Sequence, residues 1–160
     1  MKTRSLASIA LGFAVVLGTA GCGAVTPQAT TITFSPSDGV NVAVPSDAPV
    51  VILNALLVKG EDAPETDANF VATLVNKSDE SQTVTLSWDG GSAAIDVDAD
   101  STAVYGPDET LLLQNIASPA GATEDIVFQS GSTAPVTEAV QVFDTELAHL
   151  STLAPTAPAE

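Results

Sequence analysis

Beyond its first residue the 160-residue chain contains no methionine, and it holds one cysteine, one histidine, one tryptophan and one tyrosine. A single cysteine allows no internal disulfide and no multi-cysteine zinc or iron–sulfur site. Basic side chains are nearly as scarce: four Lys and Arg stand against 20 Asp and Glu, for a net charge of −16. So acidic a surface repels phosphate backbones, and nucleic acid is excluded as a partner. The chain is too short for a TIM barrel or a two-lobed enzyme. With 45% hydrophobic residues it is too apolar for a disordered acidic tail. It carries no P-loop, no G-x-G-x-x-G, no G-x-S-x-G and no S-x-x-K. Phe143-Asp144-Thr145-Glu146 departs from an aspartic protease motif at Glu146, where glycine is required. Twenty carboxylates satisfy the bare needs of a glycosidase, but the aromatic platforms of a sugar site are few. No catalysis and no cofactor are expected.

What is present begins with an address. Lys2 and Arg4 precede an apolar run over 6–17 (LASIALGFAVVL), followed by Gly18, Thr19, Ala20, Gly21 and then Cys22. A basic start, an apolar stretch and a small-residue exit form the secretory pattern. The last four residues, TAGC, resemble the lipobox of bacterial lipoproteins, with Thr19 where that family usually has leucine. The resemblance implies a signal peptide over 1–21, removed before Cys22, and acyl chains on the Cys22 sulfur. Two further readings are ordinary secretion with a free thiol and an uncleaved anchor over 5–25. All three put the domain outside the cytoplasm. Lipidation adds the membrane as a partner, on the outer face of the cytoplasmic membrane. After cleavage no methionine remains, and only Lys59 and Lys77 oppose the acidic side chains.

Residues 22–30 read as the lipidated cysteine and a flexible tether (GAVTPQAT). From 31 to 145 the pattern is that of one β domain. Gln82–Trp88 (QTVTLSW) alternates most cleanly, with Val84, Leu86 and Trp88 facing inward. Before it, 69–76 ends in the polar turn Lys77-Ser78-Asp79-Glu80, and after it Asp89-Gly90-Gly91 supplies a tight turn into 93–97. Further strands are predicted over 40–44, 101–105, 111–116, 125–129 and 136–143. The run 50–58 (VVILNALLV) is apolar on both faces, which predicts a central strand covered on both sides. Turn signals every 8–12 residues give a sandwich or small barrel. Only 145–150 is expected to form a helical turn. The segment 146–160 is a short terminal stretch, and its last ten residues (STLAPTAPAE) are expected to be disordered.

A lipobox, a tether and a β domain of this size resemble the LpqE-type lipoproteins of actinobacteria, relatives of the periplasmic copper chaperone family. The matching pieces are the strand ending in Asn76, the loop and strand over 105–113 (YGPDETLLL), and the closing β pair from 121 to 142. The resemblance implies an all-β, cupredoxin/immunoglobulin-like antiparallel β-sandwich. Chaperones of that family hold Cu(I) with His and Met, two of them at alternate positions on the strand after the Pro-Gly loop. Here that stretch reads Glu109-Thr110-Leu111-Leu112-Leu113. Soft Cu(I) selects sulfur and imidazole ligands, and the mature chain offers only His149. The resemblance carries the fold and the address, not the copper site.

Asp96, Asp98 and Asp100 (DVDAD) suggest the opening of a calcium loop, but Ser101 and Pro107 stand where an EF-hand needs Gly and Glu. They are weak calcium candidates at a strand edge, and Asp62, Glu65 and Asp67 form a second acidic group of the same kind. The expected function is a membrane-anchored, non-catalytic binding or scaffold module of the cell envelope. Its ligand is an envelope protein or a small molecule. The alternative is a metal-handling protein, either copper-chaperone-like or a weak calcium binder.

Overall fold

A computed structural model describes residues 37–61 and 64–155. The signal segment, Cys22, the tether and Asp62 lie outside the described residues. Eight strands follow one another among those described: β1 (Val50–Lys59), β2 (Ala68–Asn76), β3 (Gln82–Trp88), β4 (Gly91–Val97), β5 (Thr102–Tyr105), β6 (Leu111–Leu113), β7 (Thr123–Ser130) and β8 (Val136–Phe143). A 3₁₀ turn over Ser151–Leu153 comes last. No helix among the described residues is long and apolar enough to cross a membrane.

The strands form one sheet in the order β4-β3-β7-β8-β1-β2-β5, with β6 joining the same side of β2 further along. The sheet curls until it is nearly a barrel. The fold is all-β and sandwich-like, as the alternation predicts, although the sheet is mixed. β1 and β8 run parallel at Leu57↔Val142 and Val58↔Phe143. Phe70 and Phe128, with ring centroids 6.2 Å apart, sit in the interior among Ile52, Leu74, Leu86 and Ile126. Ser130 ties the ends of two strands together: its hydroxyl accepts from Val50 N and donates to Val50 O.

Two asparagines account for two predicted strands that differ in the structure. Asn54 sits at φ 54°, where the register of β1 against β2 shifts. An Asn tolerates that left-handed conformation, and one extra residue changes which side chains face inward. Val50 and Ile52 point into the core before the bulge, and Ala55 and Leu57 after it. The segment 40–44 follows this kinked strand only intermittently, through the single bridge Val40↔Ala55 and a bond from Val42 N to Ile52 O. It is therefore not a strand. Gly39 lies so close to the bulge that a Cβ would stand 2.6 Å from the Asn54 carbonyl carbon. Asn115, at φ 59°, ends β6 at Leu113 rather than at Ile116, and turns Ile116 into the core.

Of the last ten residues the structure describes 151–155, and these are held against the sheet. Leu150 and Leu153 are buried with Leu56, Val58 and Val71 in a second apolar cluster on the outer face of β1 and β2. Asn69, itself buried, donates from Nδ2 to the Leu153 carbonyl at 2.9 Å. This cluster is the outer cover that the two-faced apolar run of β1 requires. Composition suggested disorder over 151–160; burial of Leu153 overrides it for the described part.

Candidate functional site

The strand that would hold copper ligands under the family resemblance is β6. Gly106 N donates to Glu109 O, which shapes the loop before it. Leu113 is buried and Leu111 half-buried, so the alternate positions Thr110 and Leu112 face outward, Leu112 with 45% of its surface exposed. A hydroxyl and an isobutyl group give a soft ion nothing to bind. His149 lies elsewhere, beyond the end of β8, with its Nε2 2.8 Å from Asp38 Oδ2. The ring and the carboxylate are both largely exposed. No group of three or more His, Cys, Asp or Glu converges among the described residues.

The acidic triplet is divided among separate partners. Asp96 Oδ1 accepts from Thr83 Oγ1 at 2.6 Å, across the β3–β4 ladder. Asp98 Oδ1 accepts from Ser81 Oγ, and its carbonyl accepts from Asn76 Nδ2 and Ser101 Oγ. Asp100 sits at φ 48° and donates its N–H to Ser78 O. These residues shape the turn after β4. Of the second acidic group, Asp67 is buried and Glu65 is exposed.

Lys59 marks an open pocket of about 390 Å³ lined by Gly60, Glu65, Thr66, Ile116 and Pro119. Its ammonium donates to the carbonyls of Glu65 and Ile116, at 2.8 and 3.0 Å. It thereby fastens the end of β1 to two loops, with two of its three donors engaged. It is a clamp.

A smaller cleft of about 180 Å³ opens between the start of β4 and β6, bounded by Trp88, Gly91, Ser92, Leu112, Gln114 and Asn115. Trp88 is half-buried rather than fully inside, and its indole N–H donates to Gln114 O at 3.0 Å. Gly90 presses on Asn115: a Cβ would lie 2.1 Å from the Asn115 carbonyl oxygen. The Asp-Gly-Gly turn was legible in the sequence, but its contact with a residue 25 positions later carries no local signal. Beyond the cleft stands Tyr105. Burial raises its phenol above the ordinary value, and the charges of Glu109 and then Asp96 raise it further. Asp96 and Glu109 thus act on one point along the line where the sheet fails to close.

No protein-family model matches the chain, and no curated protein does so at a significant level. Solved structures do. The apo PCuAC domain from PmoF1 is 10% identical, with a TM-score of 0.51 over 66% of this chain and 99% of that one. The copper-bound PCuAC domain from PmoF2 is 20% identical, with a TM-score of 0.48 over 66% of this chain and 98% of that one. At such identities likeness speaks for architecture alone, and the PmoF1 superposition carries it. Residues that build this nearly closed sheet have given the chain the fold of a PCuAC domain.

Proposed function

We propose that the protein is a lipid-anchored, extracytoplasmic, non-catalytic binding module of the cell envelope, distantly related to PCuAC copper-chaperone domains. The supporting observation is the outward face of β6. Where the family resemblance places metal ligands, this chain presents Thr110 and Leu112, the latter in a cleft shared with Trp88. That surface is suited to contact, not to ligation or proton transfer. The address is supported by the order of basic residues, apolar run and TAGC before the tether. Replacing Cys22 by serine tests it. The expected result is loss of lipid labelling and accumulation of the unprocessed chain. Normal processing with membrane retention in that variant overturns the anchor.

A metal-handling role is the second reading, favoured by the fold shared with the PmoF1 domain. The donor chemistry opposes it for Cu(I), since the chain after Cys22 holds one imidazole and no sulfur. The protein with Cys22 replaced by serine and its signal removed is expected to lose Cu(I) entirely to a strong chromogenic chelator. Retention of one equivalent in that competition establishes the second reading and removes the first.

A further inference from the structure

Lys59 is one of two basic side chains beyond residue 22, against 20 acidic ones. Yet no carboxylate pairs with it among the described residues, where the one ion pair joins His149 to Asp38. Its ammonium is held instead by the backbone carbonyls of Glu65 and Ile116. An ammonium has three donors, so two bonds to backbone fix its position and leave the third unengaged. Lys59 is half-buried, and it lines the open pocket of about 390 Å³. Ligand pockets run from roughly 300 to 1,000 Å³, with mostly apolar walls and a few placed polar groups. Here Gly60, Ala117, Pro119 and Ala120 supply the apolar wall. Thr66 adds a hydroxyl that bonds to no described residue.

The chemistry of these groups selects a ligand. A full positive charge with one spare N–H suits an acceptor that carries a single negative charge. A phosphate monoester brings about −1.5 to −2 charge and three strong acceptor oxygens. The pocket meets it with one lysine and no arginine. The chain's net charge of −16 also repels a dianion more strongly than a monoanion. A bare small anion gains little either, because a part-exposed ion pair contributes little by itself. What adds affinity is an aliphatic body laid against Ala117, Pro119 and Ala120. Glu65, exposed on the same lining, gives Lys59 its carbonyl and not its carboxylate, and its charge opposes an anion there.

We propose that this pocket binds a small aliphatic monocarboxylate. Its carboxylate accepts from the Lys59 ammonium and the Thr66 hydroxyl, and its carbon chain lies against Pro119 and the flanking alanines. The pocket shares no lining residue with the surface of Thr110 and Leu112, so the proposal goes beyond the reading of that surface as a contact site.

The scarcity of lysine supplies the readout. Lysine labelled with carbon-13 at Cε gives the mature chain two signals, Lys59 and Lys77, and Lys77 is exposed outside the pocket. The mature full-length protein, in neutral detergent at constant ionic strength, is titrated with 4-methylpentanoate. The Lys59 signal is expected to move saturably, with a midpoint on the order of 1 mM, while the Lys77 signal stays. The amide of the same acid keeps the body without the charge, and acetate keeps the charge without the body. Each is expected to bind at least tenfold more weakly. Ala120→Trp fills the pocket from an exposed turn, ahead of Gly121 at φ 84°, at a position that accepts most side chains. It leaves the Lys59 bonds intact, and is expected to keep the wild-type circular dichroism and to abolish the shift. Glu65→Gln removes the opposing charge and is expected to tighten binding at least twofold. Equal movement of the Lys59 and Lys77 signals means adventitious ion pairing only and overturns the proposal. So does an unmoved Lys59, equal binding of the amide, undiminished binding by folded Ala120→Trp, or no tightening by Glu65→Gln. The ligand series on the wild type decides the matter even if Ala120→Trp fails to fold. None of these outcomes bears on Cys22 processing or Cu(I) competition, so the pocket and the wider reading fail separately.

Discussion

Replacing Asn76 by aspartate is expected to destabilise the domain by about 3–5 kcal/mol. Asn76 is 2% exposed, and its side chain makes five hydrogen bonds to four residues. Its Nδ2 donates to the carbonyls of Glu80, Val97 and Asp98, and its Oδ1 accepts from the N–H and the hydroxyl of Ser78. One side chain thus closes the β2–β3 turn and fastens it to the end of β4. A carboxylate supplies no donor to those three carbonyls and sets a negative charge among them. The cost approaches the whole stability of a small domain, which is about 5–15 kcal/mol. Asn76→Leu removes the same bonds without the charge, so it is expected to cost about 2–3 kcal/mol. The two variants separate with pH. In the aspartate variant the folded state holds the new carboxyl's pKa above its unfolded value, because burial and the carbonyls penalise the anion. Its deficit relative to Asn76→Leu therefore grows as pH rises through the unfolded value, and shrinks toward pH 4. Urea denaturation at pH 4.5 and pH 8 measures both. Equal stabilities of the two variants at both pH values contradict the placing of the new carboxylate among those buried carbonyls.

That hub was half legible in the sequence. Asn76 before a run of polar residues marks the end of a strand and a turn, but nothing local says that its amide reaches Val97 and Asp98. The same division runs through the fold. β3 was legible because Val84, Leu86 and Trp88 alternate with polar residues, and period two has one cause. The strands predicted over 40–44 and 111–116 came out differently because Asn54 and Asn115 occupy left-handed conformations. That choice is made by packing, with Gly39 against one and Gly90 against the other. The Asp96, Asp98 and Asp100 triplet was legible as a charged strand edge, but its division among Thr83, Ser81 and Ser78 was not. That β4 ends the sheet was not legible, because an edge is defined by which strand fails to arrive. Alternation identifies a strand; it does not count its neighbours.

Deleting residues 151–160 is expected to cost about 3–5 kcal/mol, although their composition alone suggests no cost. Leu153 is 9% exposed in the outer cluster, and its removal uncovers Leu56, Val58 and Val71. Losing the burial of one leucine amounts to about 1.5–3 kcal/mol. Asn69, 4% exposed in the intact protein, also loses the Leu153 carbonyl that accepts from its Nδ2. A buried donor left without an acceptor costs about 1–3 kcal/mol more. The amide and the segment are one device, so their effects do not add. Asn69→Ala in the intact chain breaks the latch from the other side and is expected to cost about 1–2 kcal/mol. In the deleted chain the same substitution is expected to cost nothing or to restore stability, because the amide it removes is already unpartnered. Denaturation of the four proteins closes this cycle. Strict additivity means that Asn69 does not hold the segment, and an unaffected deletion mutant means that Leu153 does not cover β1. Both outcomes return the terminus to the flexible tail that its alanines and prolines suggest. The expected coupling instead makes it the outer wall that lets β1, apolar on both faces, stand in the middle of the sheet.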